Sequence, residues 1–298
     1  MKDGIINIYK ERGFTSHDVV AKLRGILKQK KIGHTGTLDP EAEGVLPVCL
    51  GKGTKLCDLL TDRDKIYETV LLLGQSTDTQ DTTGAVMERS EVSVLEEQVK
   101  EAIMSFVGEY AQVPPMYSAL KVNGQKLCDL ARAGKEVERK PRQVRIHQIE
   151  ILDMDLPRVR MSVSCSKGTY IRTLCHDIGE KLGCHGCMER LLRTRSGMFC
   201  LERSVTLSEV EKLRDEGRLD EIIQSVDEVF KGLASVTLKE ESQKLGYNGN
   251  PFKKSDVEQE SEALGEVRVY DQEGRFIGIY RYDQERHSYR PVKMFYGK

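Results

Sequence analysis

The chain has 298 residues, 39% hydrophobic and 31% charged, with a formal net charge of −1. That length supports one large core or two domains, and the composition excludes both a disordered chain and one built of membrane spans. No apolar run approaches the ~20 residues of a span, and Met1 to Lys10 lacks the layout of a signal peptide, so the cytoplasm is the expected location.

Gly4 to Tyr9 reads as a strand. Ser16 is expected to cap a helix across His17 to Gln29, with Val19, Val20, Leu23, Ile26 and Leu27 at helical spacing. Ile32 to Pro47 reads as a loop punctuated by Gly, Thr and Pro. Tyr67 to Leu73 is a β-rich run, followed by a polar turn from Ser76 to Gly84 and a strand from Val86. Ser93 and Glu96 have capping-box spacing for an amphipathic helix from Ser93 to Phe106. Strands are expected over Val144 to Asp153 and Arg158 to Cys165, a helix over Thr169 to Leu182, and another from about Ser208. Beyond Ser235 the texture changes to a short helix (Leu238 to Leu245), a charged loop, and strands over Gly265 to Tyr270, Phe276 to Tyr282 and Pro291 to Tyr296.

Three constellations carry chemical information. Gly33 to Pro47 (GHTGTLDPEAEGVLP) packs three glycines and two prolines into one segment. Its Asp39-Pro40 step holds Asp39 out of helical geometry. Asp-Pro can simply open a turn, but a histidine, two threonines and an aspartate beside apolar Leu38 and Val45 make a better pocket wall than a solvent loop. In the second, Lys65-Ile66-Tyr67-Glu68 precedes a Thr/Asp-rich turn, Thr77 to Gly84. Tyr67 alone reads as a strand aromatic, and the turn lacks the offsets of a calcium loop. In the third, Gly168-Thr169-Tyr170-Ile171-Arg172-Thr173 ends a strand and opens a helix. A cation in a first helical turn is unfavourable unless an anion is near, so Arg172 should have an acidic partner.

The eight cysteines (49, 57, 128, 165, 175, 184, 187 and 200) are scattered among apolar neighbours and do not form a disulfide framework. Cys175-His176 and Cys184-His185-Gly186-Cys187 lack the paired spacing of a structural zinc site, so no metal is expected. Charge is unevenly distributed. Leu120 to Ile146 carries eight bases and three acids, and so does Arg158 to Arg195, whereas Val205 to Glu262 has fourteen acids against eight bases. Such segregation fits a polyanion bound on one face of a neutral protein, although chance clustering of solvated surfaces gives a similar count.

Taken together, the Gly33–Pro47 run, Tyr67 with its TDTQDTTG turn, and GTYIRT from Gly168 to Thr173 closely resemble the TruB family of tRNA pseudouridine-55 synthases. The likeness extends through Lys10-Glu11-Arg12-Gly13-Phe14-Thr15-Ser16-His17-Asp18, where the family often has proline in place of Glu11. The resemblance implies that Asp39 is the essential catalytic aspartate, Arg172 its charge partner, and Tyr67 a ring that stacks on the base and helps move a proton. It further implies that Tyr170 and Leu191 line the uracil site and that His34 contacts RNA beside a flipped uridine. No cofactor, metal or obligate protein partner is implied, and the substrate would be the tRNA T-arm. The implied fold is α+β, a mixed, largely antiparallel sheet with flanking helices, plus a small C-terminal PUA-like β-barrel. Residues 1–234 would be the catalytic domain, with an RNA-gripping insertion at about 114–142, and residues 235–298 an RNA-binding domain. Two alternatives stay open: the catalytic subunit of a guide-dependent pseudouridylation complex, and a non-catalytic tRNA-binding protein on the same scaffold.

Overall fold

A computed structural model describes residues 1–258 and 265–296; Glu260 and Glu262 of the acidic stretch lie outside them. The architecture is α+β. One ten-stranded sheet runs in the order Ile223–Gln224, Gly4–Lys10, Glu43–Leu50, Gly186–Ser196, Lys65–Leu73, Arg158–Cys165, Arg142–Asp155 and Gly108–Gln112, with Ile32–His34 and Phe199–Cys200 paired off this path. Its strands pair antiparallel except at one place, where Leu192 and Arg193 run parallel beside Glu43 and Gly44. That seam joins two halves, each with its own core. On one side the helix Ser16–Leu27 buries Val19, Val20 and Leu23 against Ile6, Ile8, Leu46 and Val48. On the other, the helix Ile171–Leu182 buries Leu174, Cys175 and Ile178 with Leu71, Met161 and Val163. Each such side chain contributes about 1.5–3 kcal/mol by leaving water.

Several sequence expectations shift. The segment from Ile32 to Pro47 is not all loop: Ile32–His34 and Glu43–Leu50 are strands, leaving only 35–42 irregular. Pro47 sits inside the second strand opposite Asn7, and its carbonyl still accepts a hydrogen bond from Thr35 N–H at 3.0 Å. Thr15, not Ser16, caps the first helix; its hydroxyl accepts from Asp18 N–H at 3.0 Å and Asp18 Oδ2 accepts from Thr15 N–H at 2.8 Å. That helix stops at Leu27 because Lys28 turns left-handed at φ 50°. The expected Ser93–Glu96 box is replaced by Gln98, whose Oε1 accepts from Leu95 N–H at 2.8 Å, so this helix spans Glu96–Met104. Besides several strands of two to four residues, two longer ones escape the sequence reading, Gly108–Gln112 and the central Gly186–Ser196. The latter, GCMERLLRTRS, has no clean alternation because its register against Lys65–Leu73 shifts twice, between Met188 and Arg190 and between Arg193 and Arg195.

The C-terminal segment forms a four-stranded sheet in the order Ala234–Thr237, Glu266–Tyr270, Phe276–Asp283, Ser288–Met294. Among the described residues it does not close into the barrel expected from sequence, since the two end strands do not pair with each other. Its last strand starts earlier than Pro291, and the helix expected from Leu238 reduces to Gln243–Tyr247 after a 3-10 turn. Phe295 and Phe276 pack with Phe230 against Ile5, Val45, Cys49 and Phe199, which fastens this sheet to the main one. Among the described residues no helix is long and apolar enough to cross a membrane.

Candidate active site

The irregular segment 35–42 presents Asp39, and it is held from below at several points. Leu38 N–H donates to Ser16 Oγ at 2.9 Å, and Gly13 N–H donates to the Pro40 carbonyl at 2.9 Å. Two fully buried cations do the rest. Lys10 Nζ donates to the carbonyls of Ala42 (2.5 Å), Pro40 (3.1 Å) and Glu11 (3.1 Å). Burial lowers its pKa to about 8, although Asp39 and Glu43 pull the other way. Arg193 donates from Nε to the Val45 carbonyl at 2.7 Å and from Nη2 to the Gly36 carbonyl at 3.3 Å. The approach is possible because position 44 is glycine: its φ is +104°, and a Cβ there would stand 2.3 Å from the Arg193 carbonyl oxygen.

Arg172 finds the acidic partner that its place in the helix demands. From the second residue of Ile171–Leu182 its Nε lies 3.0 Å from Asp39 Oδ2, and Nη2 lies 3.4 Å from Oδ1. The same guanidinium donates to the Thr79 carbonyl at 2.9 Å and the Tyr117 carbonyl at 2.8 Å, with Asp81 Oδ2 at 3.8 Å. Its side chain is only 6% exposed, against 40% for Asp39, so the carboxylate faces the cleft while its partner is sunk behind it. Burial raises the Asp39 pKa above the ordinary value, Arg172 draws it down, and Asp81 adds to the rise. Asp81 also builds the turn that offers the Thr79 carbonyl, accepting from Thr79 Oγ1 at 2.8 Å and from Thr83 N–H at 3.0 Å. All three sequence constellations thus converge on one arginine.

A cavity of ≈ 960 Å³ brings together Asp39, Tyr67, Tyr170, Arg172 and Leu191, five of the six residues singled out from sequence. Tyr67 lies on the inward face of Lys65–Leu73, 8% exposed, and burial pushes its phenol pKa up while Arg193 beside it opposes the rise. Leu191 stands across from Thr69 on the neighbouring strand. Tyr170 is fixed through its backbone: its N–H donates to Gln112 Oε1 at 2.8 Å, and its carbonyl accepts from Gln112 Nε2 at 3.0 Å. His34 is the exception. It lies half-buried on Ile32–His34, away from the cavity lining, where burial, Arg193 and His17 lower its pKa.

The insertion forms a small hairpin (Lys121–Val122 with Gln125–Lys126) and a short helix, Leu127–Arg132. Arg132 and Arg142 reach the cavity wall, and Lys121, Lys126, Lys135 and Lys140 are exposed. Arg139 instead staples the insertion closed, donating to the Pro114 carbonyl at 3.2 Å. Lys10, Asp81, Gln112 and Arg193 are the residues the sequence reading did not single out for the site. Gln112 and Arg193 stand on Gly108–Gln112 and Gly186–Ser196, strands the sequence reading missed, so their neighbours could not be inferred.

Comparison with known proteins gives a consistent result. A model described as the TruB family pseudouridylate synthase N-terminal domain matches residues 24–171, and one for the tRNA pseudouridylate synthase B C-terminal domain matches 172–231. A Lachnoclostridium phytofermentans protein named tRNA pseudouridine synthase B is 55% identical, with 98% of this chain and 99% of the relative covered. Its namesake from Clostridium acetobutylicum is 45% identical over 95% and 96% of the two chains. Among solved structures, a chain in "Crystal Structure of a Cbf5-Nop10-Gar1 Complex" superposes with TM-score 0.73 at 27% identity, covering 98% of this chain and 84% of its own. One in "Structure of H/ACA RNP bound to a substrate RNA containing 2'-deoxyuridine" gives TM-score 0.72 at 25% identity, covering 99% and 85%. The chain belongs to the TruB family of pseudouridylate synthases.

Proposed function

We propose that this protein isomerises uridine 55 in the T-loop of tRNA to pseudouridine, with Asp39 initiating cleavage of the glycosidic bond. The observation that carries the reading is an aspartate facing a cavity and paired from behind with a buried arginine, with two tyrosines and a leucine to enclose a flat base. The N1–C1′ bond breaks, the uracil turns in place, C1′ bonds to C5, and the C5 proton is lost as N1 gains one. No atom or electron is gained overall. An ionised carboxylate held at the ribose in a site that excludes water meets the requirement of the first step, and Arg172 fixes its orientation. The uridine must first leave the folded loop, at a cost of a few kcal/mol. Tyr67, Tyr170 and Leu191 would then receive the base. His34, set back from the cavity, would meet RNA beside the extruded nucleotide. Residues 1–234 act as the catalytic domain and 235–298 as an added RNA-binding module that docks through its phenylalanines.

Tyr67→Phe keeps the ring and removes the hydroxyl; Tyr67→Leu removes both. If the phenol moves a proton, Phe should slow the single-turnover rate by about 10²–10⁴-fold while leaving RNA affinity near wild type. Leu should also weaken RNA binding. Near-normal rates for both would take Tyr67 out of the chemistry.

The decisive experiment incubates the purified protein with an unmodified tRNA transcript and, separately, with an isolated T-arm stem-loop, and maps pseudouridine. Product at the T-loop uridine in both is expected, without guide RNA or protein partner. Product that requires a guide ribonucleoprotein would assign the chain to the guide-dependent class. Binding without product would leave a tRNA-binding protein. Replacing Lys126, Lys135 and Lys140 with Gln should weaken stem-loop binding and flatten its salt dependence by about 0.7–0.9 log units per tenfold salt for each phosphate no longer neutralised. Arg139 is left intact because it holds the insertion together.

A further inference from the structure

Arg193 is 1% exposed, yet among the described residues it makes no ion pair; its guanidinium donates to the carbonyls of Val45 and Gly36. A guanidinium stripped of water without a counter-ion is costly, and a purely structural site is served as well by an apolar side chain of similar volume. Its position offers a reason to keep it. In register, Arg193 is the Cα partner of Gly44 on one side and of Tyr67 on the other. Directly opposed residues of an antiparallel pair project from the same face, so the guanidinium and the Tyr67 ring share the cavity wall. The central strand therefore carries one cation between the segment that presents Asp39 and the strand that presents Tyr67.

We propose that Arg193 is a positioning residue of the isomerisation, fixing the Asp39 segment through two carbonyls and holding the Tyr67 hydroxyl, so that carboxylate and phenol address one nucleotide together. The proposal rests on the tRNA-isomerase reading. The charged and titratable groups that act on the phenol are Arg193, Cys165 and Asp39; burial raises its pKa, Arg193 counters that, and Cys165 and Asp39 add to the rise. Without the guanidinium the phenol would be both less well held and a weaker acid.

The test uses full-length Arg193→Met, which removes the charge, and Arg193→Lys, which keeps the charge but not the fork. Each is made alone and with Tyr67→Phe. Arg193→Met is expected to lower the single-turnover rate by about 100-fold with stem-loop affinity within several-fold of wild type, and Lys should recover about tenfold of the loss. In the Tyr67→Phe background the cost of Arg193→Met should shrink, because residues that act through one another are not additive. A second readout needs no RNA. Ring fluorination acidifies every phenol, and ¹⁹F signals of fluorotyrosine-labelled protein, with Tyr67 identified by its loss in Tyr67→Phe, should show Tyr67 titrating at higher pH in Arg193→Met and nearer wild type in Arg193→Lys. Wild-type rates for Arg193→Lys, full additivity with Tyr67→Phe, or an unmoved Tyr67 titration in Arg193→Met would overturn the proposal. Should Arg193→Met not fold, the rate and titration of Arg193→Lys still decide. A wild-type protein that makes no pseudouridine would defeat the functional reading instead, and the fluorine titration would then judge the Arg193–Tyr67 link by itself.

Discussion

Asp39→Asn should abolish turnover, by about 10³-fold or more in single-turnover rate, while tRNA affinity stays within several-fold of wild type. Asparagine matches the shape of aspartate and can still accept from Arg172, so the segment 35–42 should keep its form on Lys10, Ser16 and Arg193. Arg172 would retain the Thr79 and Tyr117 carbonyls and the Asp81 carboxylate. What disappears is the negative charge at the cavity wall. On the proposed function, exposed bases elsewhere supply most of the binding, so rate and affinity should separate. Residual pseudouridine formation near the wild-type rate would remove Asp39 from the catalytic role.

Arg172→Met is the second large effect, and it should differ in kind. It takes away the cation behind Asp39, leaves the Thr79 and Tyr117 carbonyls without that donor, and strips Asp81 of an ion-pair partner at 3.8 Å. Breaking a fully buried pair costs about 3–5 kcal/mol, and the partial exposure of Asp39 moves the expectation to the lower end or below. The pH dependence gives the sharper signature. On the proposed mechanism Asp39 acts ionised, so the rate should fall as pH drops through its pKa, which burial already places above the ordinary carboxylate value. Arg172 opposes that rise; without it the acid limb of the single-turnover profile should move to higher pH. A folded Arg172→Met enzyme with an ordinary rate and an unshifted acid limb would refute the pairing.

The pairing of Asp39 with Arg172 was legible in the sequence because its chemistry leaves local traces. A run of glycines and prolines around one aspartate is unusual for a solvent loop, and an arginine in a first helical turn calls for a carboxylate. Lys10 and Arg193 leave no comparable trace. Both bind main-chain carbonyls, which every residue possesses, so no partner in the sequence marks them. The strand Gly186–Ser196 was hidden for a different reason: two register shifts, after Met188 and after Arg193, break the two-residue period that marks a strand in sequence. Glu43–Leu50 was concealed by Gly44 and Pro47, residues that usually break strands but are here accommodated by a close approach and by a carbonyl still in use. The barrel, which does not close among the described residues, was expected from a resemblance that had no sharp motif behind it.

The parallel seam also sets a clock on synthesis. Gly186–Ser196 lies between Glu43–Leu50 and Lys65–Leu73, and 136 positions separate Leu50 from Gly186 along the chain. At ~5–20 residues per second, roughly 7–27 s pass before a ribosome supplies the strand that covers those two edges. Until then, the nascent chain carries an open row of peptide donors and acceptors along Lys65–Leu73 and a short one at the Glu43 end of the other strand, the kind of template on which other chains add. A fragment released after Ile171, where the two family models meet, would never escape that interval: it would lack both Arg172 and the strand that turns two half-sheets into one.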